Sequence, residues 1–249
     1  MSDAVERLKT HLATIVDLRA AAAVLGWDQE TYMPPGGAVG RAEQLGTLNR
    51  IAHEMFTSAS MGDLLAAAEA ELSGLDPDSD EAALIRMTRR DYDRARKLPP
   101  DFVAERARAR SLSTQVWQQA RQDNDFTSFW PYLRQMFDFA RRTADYLGYR
   151  DHPYDALLDQ YEPEMTSAAV AALFSTLRDA TVPLVRAIAE RGRPVEAGFL
   201  TAEYDEGKQR QFGLAVAADF GYDLGCGRLD RSAHPFSSGF GRGDVRITT

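Results

Sequence analysis

DAVERLKTHLATIVDLRAAAAVL, residues 3–25, decides the fold class. Val5, Leu8, Leu12, Ile15, Ala22 and Leu25 recur at three- and four-residue steps with one skipped turn, the period of a helix burying one face. Gly26 and the cluster Pro34-Pro35-Gly36-Gly37 predict that this helix stops and a long loop follows. The same period carries on outward. It predicts helices over 38–57, with Leu45, Leu48, Ala52 and Met55 inward, then 60–73, 80–97, 101–122 and 127–147. Asp78 and Glu81 have capping-box spacing ahead of the 80–97 helix, Leu98-Pro99-Pro100 ends it, and Gly148 suits a left-handed cap after 147. Residues 149–165 read as a loop with a short helical turn. Thr166 then caps a helix to 191, kinked at Pro183, 193–204 are irregular, and a last helix over 205–219 ends at Gly221.

Beyond Gly221 the helical period is lost. Glycines 225, 227, 239, 241 and 243 crowd the segment, and Val245 to Thr249 alternates and is β-branched, which favours a strand. The expected fold is mainly α, a multi-helix domain with short β-strands near its C-terminal end. Its expected division is a helical part over 1–221 and the start of a small β region over 222–249.

Composition narrows the function classes. Hydrophobic residues are 44% of the 249, ample for a packed core, and 18 glycines with 11 prolines are near the globular average. Acidic residues number 37 against 29 basic, a net charge of −8, which argues against nucleic-acid or anionic-membrane partners because both reward clustered Lys and Arg. The pairs Arg89-Arg90 and Arg141-Arg142 fall in mixed-charge helices and read as solvated faces. No run of about 18 consecutive apolar residues is present, so no transmembrane helix is expected. The start, MSDAVERLKTHL, is unlike a secretory signal. Cys226 is the single cysteine, which excludes an intrachain disulfide and suits the cytosol.

Chemistry-bearing motifs are sparse. His53-Glu54 opens a His-Glu-x-x-His pattern, but position 57 is Thr, so His53, like His11, reads as a helix-surface or core-edge histidine, and His152-Pro153 as a turn. Gly239-Phe240-Gly241-Arg242-Gly243 leads into a strand and lacks the helix N-terminus of a phosphate cradle. Cys226 has no obvious histidine partner for nucleophilic chemistry. Two clusters stand out. One is Gly26-Trp27-Asp28-Gln29-Glu30-Thr31-Tyr32-Met33-Pro34-Pro35-Gly36, which reads most simply as a loop packed by its own side chains. The other is His234-Pro235-Phe236 followed by Asp244-Val245-Arg246-Ile247-Thr248-Thr249. On a strand, Asp244, Arg246 and Thr248 share one face and Val245 and Ile247 the other; the simplest reading is an edge strand with a solvated Asp244–Arg246 pair.

Taken together these clusters resemble the carboxypeptidase Taq family of zinc metallocarboxypeptidases. Leu25 to Gly36 with Arg41-Ala42-Glu43-Gln44 looks like the family's opening helix, loop and second helix. Thr88 to Asp93, Lys97-Leu98-Pro99 and Tyr154 to Asp159 also fit, as do His-Pro-Phe at 234–236 and Asp-x-Arg-x-Thr at 244–248, two of its signature motifs. The resemblance runs over essentially the whole chain. It implies a helical, zinc-dependent enzyme, a homodimer when full length, that removes C-terminal residues from peptides, with zinc held by a His-Glu-x-x-His helix and a downstream glutamate. None of those residues occurs here, and family members are about twice this length. The chain is therefore expected to be an N-terminal half carrying no metal ligands and no catalytic residues, inactive alone. It would bind substrate through His234, Phe236, Asp244, Arg246 and Thr248. Arg246 would meet a peptide carboxylate or simply pair with Asp244, and the backbone of Val245 to Thr248 would take the peptide as an added strand. Trp27 and Glu30 are expected not to touch substrate. An edge strand at Val245–Thr249 would also invite self-association. The alternative is a non-catalytic helical module that binds peptide or pairs with a full-length relative.

Overall fold

The computed structural model describes residues 3–193 and 195–249; Met1 and Ser2, read above as part of an N-terminus unlike a secretory signal, and Pro194, read as part of the irregular 193–204, lie outside them. The chain forms two compact units, each described by itself: one of the residues up to Leu147 together with Gly225–Thr249, the other of Gly148–Leu224. One change of unit, at 224–225, falls close to the loss of helical period at Gly221. The other, at Gly148, had no counterpart in composition.

In the first unit, α1 (Asp3–Thr31), α2 (Ala38–Thr57), α3 (Ala59–Glu69), α4 (Asp80–Ala95), α5 (Pro100–Gln122) and α6 (Phe126–Leu147) follow one another with short connections. Val5, Leu8 and Ile15 of α1 meet Ala52 and Phe56 of α2, Met61, Leu65 and Ala68 of α3 and Ile85 and Tyr92 of α4 in one buried core. Phe102 and Ala109 of α5 and Phe139 of α6 make a smaller second one. The helical periodicity therefore points inward as read.

Two local expectations fail for identifiable reasons. First, α1 does not stop at Gly26 but runs to Thr31, so Trp27 to Glu30 are helix and not loop. A mid-helix glycine costs about 1 kcal/mol. Against that, Trp27 is buried, Gln29 and Ser111 of α5 exchange two hydrogen bonds (2.8 and 2.6 Å), and Arg41 Nη1 donates to the Leu25 carbonyl. Tertiary partners on α5 and α2 extend the helix past its local stop. Second, Ser79, not Asp78, caps α4, its hydroxyl accepting from the Ala82 N–H at 3.3 Å. The Asp76 carboxylate accepts from the Asp78 N–H at 3.0 Å, a turn that carries the chain one residue further before the helix begins. Glu81 pairs instead with Lys9 at 3.1 Å.

Three strands complete this unit: β1 (Gly227–Asp230), β2 (Ser237–Gly241) and β3 (Asp244–Thr248). Their order is β1-β3-β2, with β1 parallel and β2 antiparallel to β3, and an irregularity between Gly239 and Gly241. The expectation that Val245–Thr249 is an edge strand is thereby corrected: β3 is central. Arg246 faces Arg228 on one side and Ser238 on the other.

In the second unit, α7 (Pro153–Leu158), α8 (Ser167–Arg191) and α9 (Glu206–Asp219) are joined by irregular chain. His152 caps α7 through Nδ1, Thr166 caps α8 and Asp205 caps α9, each side chain accepting a backbone N–H of the first turn. Gly148 and Gly221 both have positive φ, 78° and 84°, which is why glycine stands after α6 and α9. Among the described residues α8 is the one helix long and apolar enough to cross a membrane by length and composition, although it holds no unbroken run of about 18 apolar residues.

Candidate functional site

The site lies where the C-terminal turns of α1 meet the small sheet. Trp27 is the platform. The Arg246 guanidinium carbon stands 4.3 Å from the Trp27 ring centre and 5.0 Å from that of Phe240 on β2, and Arg228 of β1 stands 5.2 Å from Trp27 and 5.3 Å from Tyr32. Two cations thus lie against one indole, each also gripped by an aspartate on its own strand. Arg246 donates through Nε and Nη2 to Asp244, both at 2.7 Å, and Arg228 donates through the same pair of nitrogens to Asp230, at 2.5 and 2.8 Å. The Tyr32 hydroxyl donates to Asp230 and accepts from Arg228 at 3.0 Å. The hydrogen bond from Arg246 is the main reason the Asp244 carboxyl is held below its usual range; the bond to Asp230 raises the Tyr32 phenol.

Within the polar row of β3, Thr248 is buried and Arg246 keeps 19% of its side chain exposed, whereas Asp244 is 40% exposed, as is Val245 from the apolar row. Among the described residues no bond uses Arg246 Nη1, so one edge of an oriented guanidinium remains for an oxygen ligand.

Thr248 has another task. Its hydroxyl accepts from Ser232 Oγ and from the Phe236 N–H, both at 2.8 Å, and donates to the Phe236 carbonyl at 3.1 Å. The residue is 7% exposed and its hydroxyl is engaged by its own loop. It ties the His234-Pro235-Phe236 loop to β3. From that loop the His234 ring stands edge-on to Trp117 of α5, centroids 6.4 Å apart, and Arg121 of α5 donates to the Ala233 carbonyl.

Five residues were named from sequence. The structure brings His234, Phe236 and Thr248 together at one end of β3 and Asp244 with Arg246 at the other, on one small sheet. It removes the expected backbone role of Val245–Thr248. The Val245 N–H donates to Cys226, Thr248 N–H to Phe236 and Thr249 N–H to Asp230, each at 2.9 Å, so a central strand has no free edge on which a peptide can add.

Sequence reasoning missed Trp27, Tyr32, Phe240, Arg228 and Asp230. Trp27 and Tyr32 did lie in a segment singled out as unusual, but nothing local says that they face β3. Glu30 also belongs here. Burial, the larger cause, raises its carboxyl above the usual range, while Gln118 Nε2, donating at 2.9 Å, and the charges of Arg110 and His234 oppose the shift. His53 Nε2 lies 2.8 Å from the Leu98 carbonyl and burial lowers its pKa, in keeping with a core-edge residue. Among the described residues no three His, Cys, Asp or Glu side chains gather as a metal site, so these residues do not fit the donor set of a metallopeptidase centre.

The helical scaffold that carries these two arginines on their aromatic platform is shared with proteins named as carboxypeptidases. Superposed on the crystal structure of BsuCP, the whole chain matches half of that chain with a TM-score of 0.93 at 32% identity. Residues 7–249 match the carboxypeptidase Taq (M32) metallopeptidase family, and the chain belongs to it. It is 34% identical over 229 residues to carboxypeptidase 1 of Bacillus subtilis, 92% of this chain and 45% of that protein. It is 37% identical over 232 residues to thermostable carboxypeptidase 1 of Pyrococcus furiosus, 92% of this chain and 46% of that protein. The chain thus spans about half the length of the curated relatives it matches.

Proposed function

We propose that this chain forms the substrate-holding half of a zinc-dependent metallocarboxypeptidase, inactive alone, whose metal ligands lie in the half of the family fold that it does not span. The observation that carries the reading is Arg246. Its guanidinium is stacked between Trp27 and Phe240, clamped by Asp244 on one edge and left with Nη1 on another. Such a cation is oriented before a ligand arrives, so little side-chain entropy is lost when a carboxylate binds. A carboxypeptidase substrate offers a C-terminal carboxylate. The His234–Phe236 loop, fixed by Thr248, stands at the other end of the same strand, and the peptide is met by side chains instead of by strand addition. A homodimer is the assembly proposed for the complete enzyme.

The test joins this chain to the part of Bacillus subtilis carboxypeptidase 1 that it does not match and measures release of C-terminal residues. Arg246→Ala should lower kcat/KM by about 100-fold, since losing a charged hydrogen bond to substrate costs roughly 2–3 kcal/mol. Unchanged kinetics in a folded variant would refute the assignment.

A further inference from the structure

Glu30 is a half-buried carboxyl with no part in holding Arg246. It stands in the last turn of α1, and its Oε2 accepts from Gln118 Nε2 of α5 at 2.9 Å. Among the described residues no hydrogen bond reaches its Oε1. A carboxylate drawn partly away from water on one hydrogen bond is costly unless further donors or a cation face it. Burial accordingly raises this carboxyl, against the Gln118 bond and the charges of Arg110 and His234.

His234 is brought to the same place by contacts of its own. Trp117, the neighbour of Gln118 on α5, meets the imidazole edge-on, with centroids 6.4 Å apart and planes at 90°. Arg121, one turn on, lies over the Trp117 ring at 5.6 Å and donates to the Ala233 carbonyl. The His234 carbonyl accepts from Ser232 Oγ at 2.8 Å. The loop backbone is thus pinned on both sides of the histidine. Its side chain is exposed, and neither ring nitrogen has a hydrogen bond among the described residues.

We propose that Glu30 is the positioning residue of this histidine: its Oε1 accepts from one imidazole nitrogen of His234, fixing the ring and turning the other nitrogen outward. A carboxylate only accepts, so the nitrogen that faces Glu30 carries the proton, and the outward nitrogen of the neutral ring becomes an acceptor for a peptide N–H. That use of the outward nitrogen rests on the functional reading above; the pairing itself does not. The charged groups gathered here are Glu30 of α1, Arg110 and Arg121 of α5, and His234. The charge of Arg110 acts on Glu30 more strongly than that of His234. Yet Arg110 is exposed and makes no ion pair with Glu30 among the described residues, so it eases the cost of the carboxylate without occupying Oε1. Glu30 does not touch the peptide; it acts through His234.

The experiment reads the nitrogen-15 shifts of the imidazoles in the full chain at about pH 8.5, where an ordinary histidine is neutral, with His234→Gln to assign the signal. The expected result is one His234 tautomer in at least about 10-fold excess. That ratio should fall about fivefold in Glu30→Gln, because a charge-assisted hydrogen bond is roughly twice as strong as a neutral one. Glu30→Asp, which keeps the charge, should keep more of the excess than Glu30→Gln, and both should retain wild-type helical circular dichroism. The proposal is overturned by equal tautomers in the wild-type chain or by a ratio in Glu30→Gln within about twofold of wild type. It is also overturned by an excess that Trp117→Leu abolishes and Glu30→Gln leaves, since the indole alone would then orient the ring. Unchanged kinetics of Arg246→Ala in the joined enzyme would overturn the functional reading and leave the pairing standing; equal tautomers beside Arg246-dependent hydrolysis would do the reverse.

Discussion

Replacing Thr248 with Val should loosen the His234–Phe236 loop without unfolding the chain, and the structure says by how much. Three hydrogen bonds end on the Thr248 hydroxyl, but their losses differ. Ser232 Oγ has one proton and two acceptors at 2.8 Å, Thr248 Oγ1 and the His234 carbonyl, so it keeps the second. The Phe236 carbonyl keeps the Thr248 backbone N–H at 2.9 Å. Only the Phe236 N–H is left without an acceptor, and it is partly buried. An orphaned buried donor costs about 1–3 kcal/mol, and partial access to water places this one at about 1–2 kcal/mol. Valine matches threonine in shape, so no cavity term is added. Hydrogen exchange followed at the Phe236 amide should accelerate roughly 5- to 30-fold at 1.4 kcal/mol per tenfold, and the urea midpoint should fall with an unchanged slope. Thr248→Ser should restore most of both. Exchange at Phe236 within about twofold of wild type in the valine variant, with Ser232 and Thr249 equally unmoved, would refute the view that this hydroxyl ties the two motifs together.

Two further outcomes test the helices behind the site. The carboxyl of Glu30 is raised chiefly by burial, so its native state binds protons more readily than its unfolded state, and stability falls as pH rises from the usual glutamate value through the raised one. Glu30→Gln should therefore melt above wild type near pH 7, with the gap closing as pH drops below the usual glutamate range; a gap that widens in acid would refute the burial account. Gly62→Ala would place a Cβ 2.5 Å from the Tyr92 hydroxyl, which is packed in the first core and donates to the Ser58 carbonyl at 3.2 Å. Overpacking of about 1–3 kcal/mol should outweigh the helix-propensity gain of about 1 kcal/mol, lowering the denaturant midpoint; a stabilised variant would mean that α3 and α4 pack differently.

What was legible in the sequence is what local chemistry settles. The inward face of α1 follows from the spacing of Val5, Leu8 and Ile15, and Thr166, Gly148 and Gly221 announce helix ends because capping needs only neighbours in the chain. Gly26 misled because the groups that carry α1 past it, Ser111 and Arg41, are 82 residues and 16 residues from their partners in the chain. The cap of α4 misled in a smaller way, since Asp78 and Ser79 both suit an N-cap and the turn at Asp76 decides between them. The self-association expected from β3 loses its basis, because that strand is paired on both sides; the exposed apolar surface lies on α8, whose stripe is interrupted in sequence by Arg178, Asp179 and Arg186.

The candidate site divides along the same line. Period-two alternation correctly put Asp244, Arg246 and Thr248 on one face, but alternation says nothing about which strands flank that face or which way it turns. The alternation therefore suits a solvated edge as well as the central strand that β3 is. Placement in the centre alters the chemistry each residue can offer. Thr248 is saturated by its own loop, Asp244 spends its carboxylate on Arg246, and the backbone of β3 is committed to β1 and β2. Within that row, Arg246 has Nη1 unbonded among the described residues, and its guanidinium is held against Trp27 by a helix end that no local rule would have extended so far. The stretch that looked like a loop supplies the aromatic platform on which Arg246 and Arg228 rest.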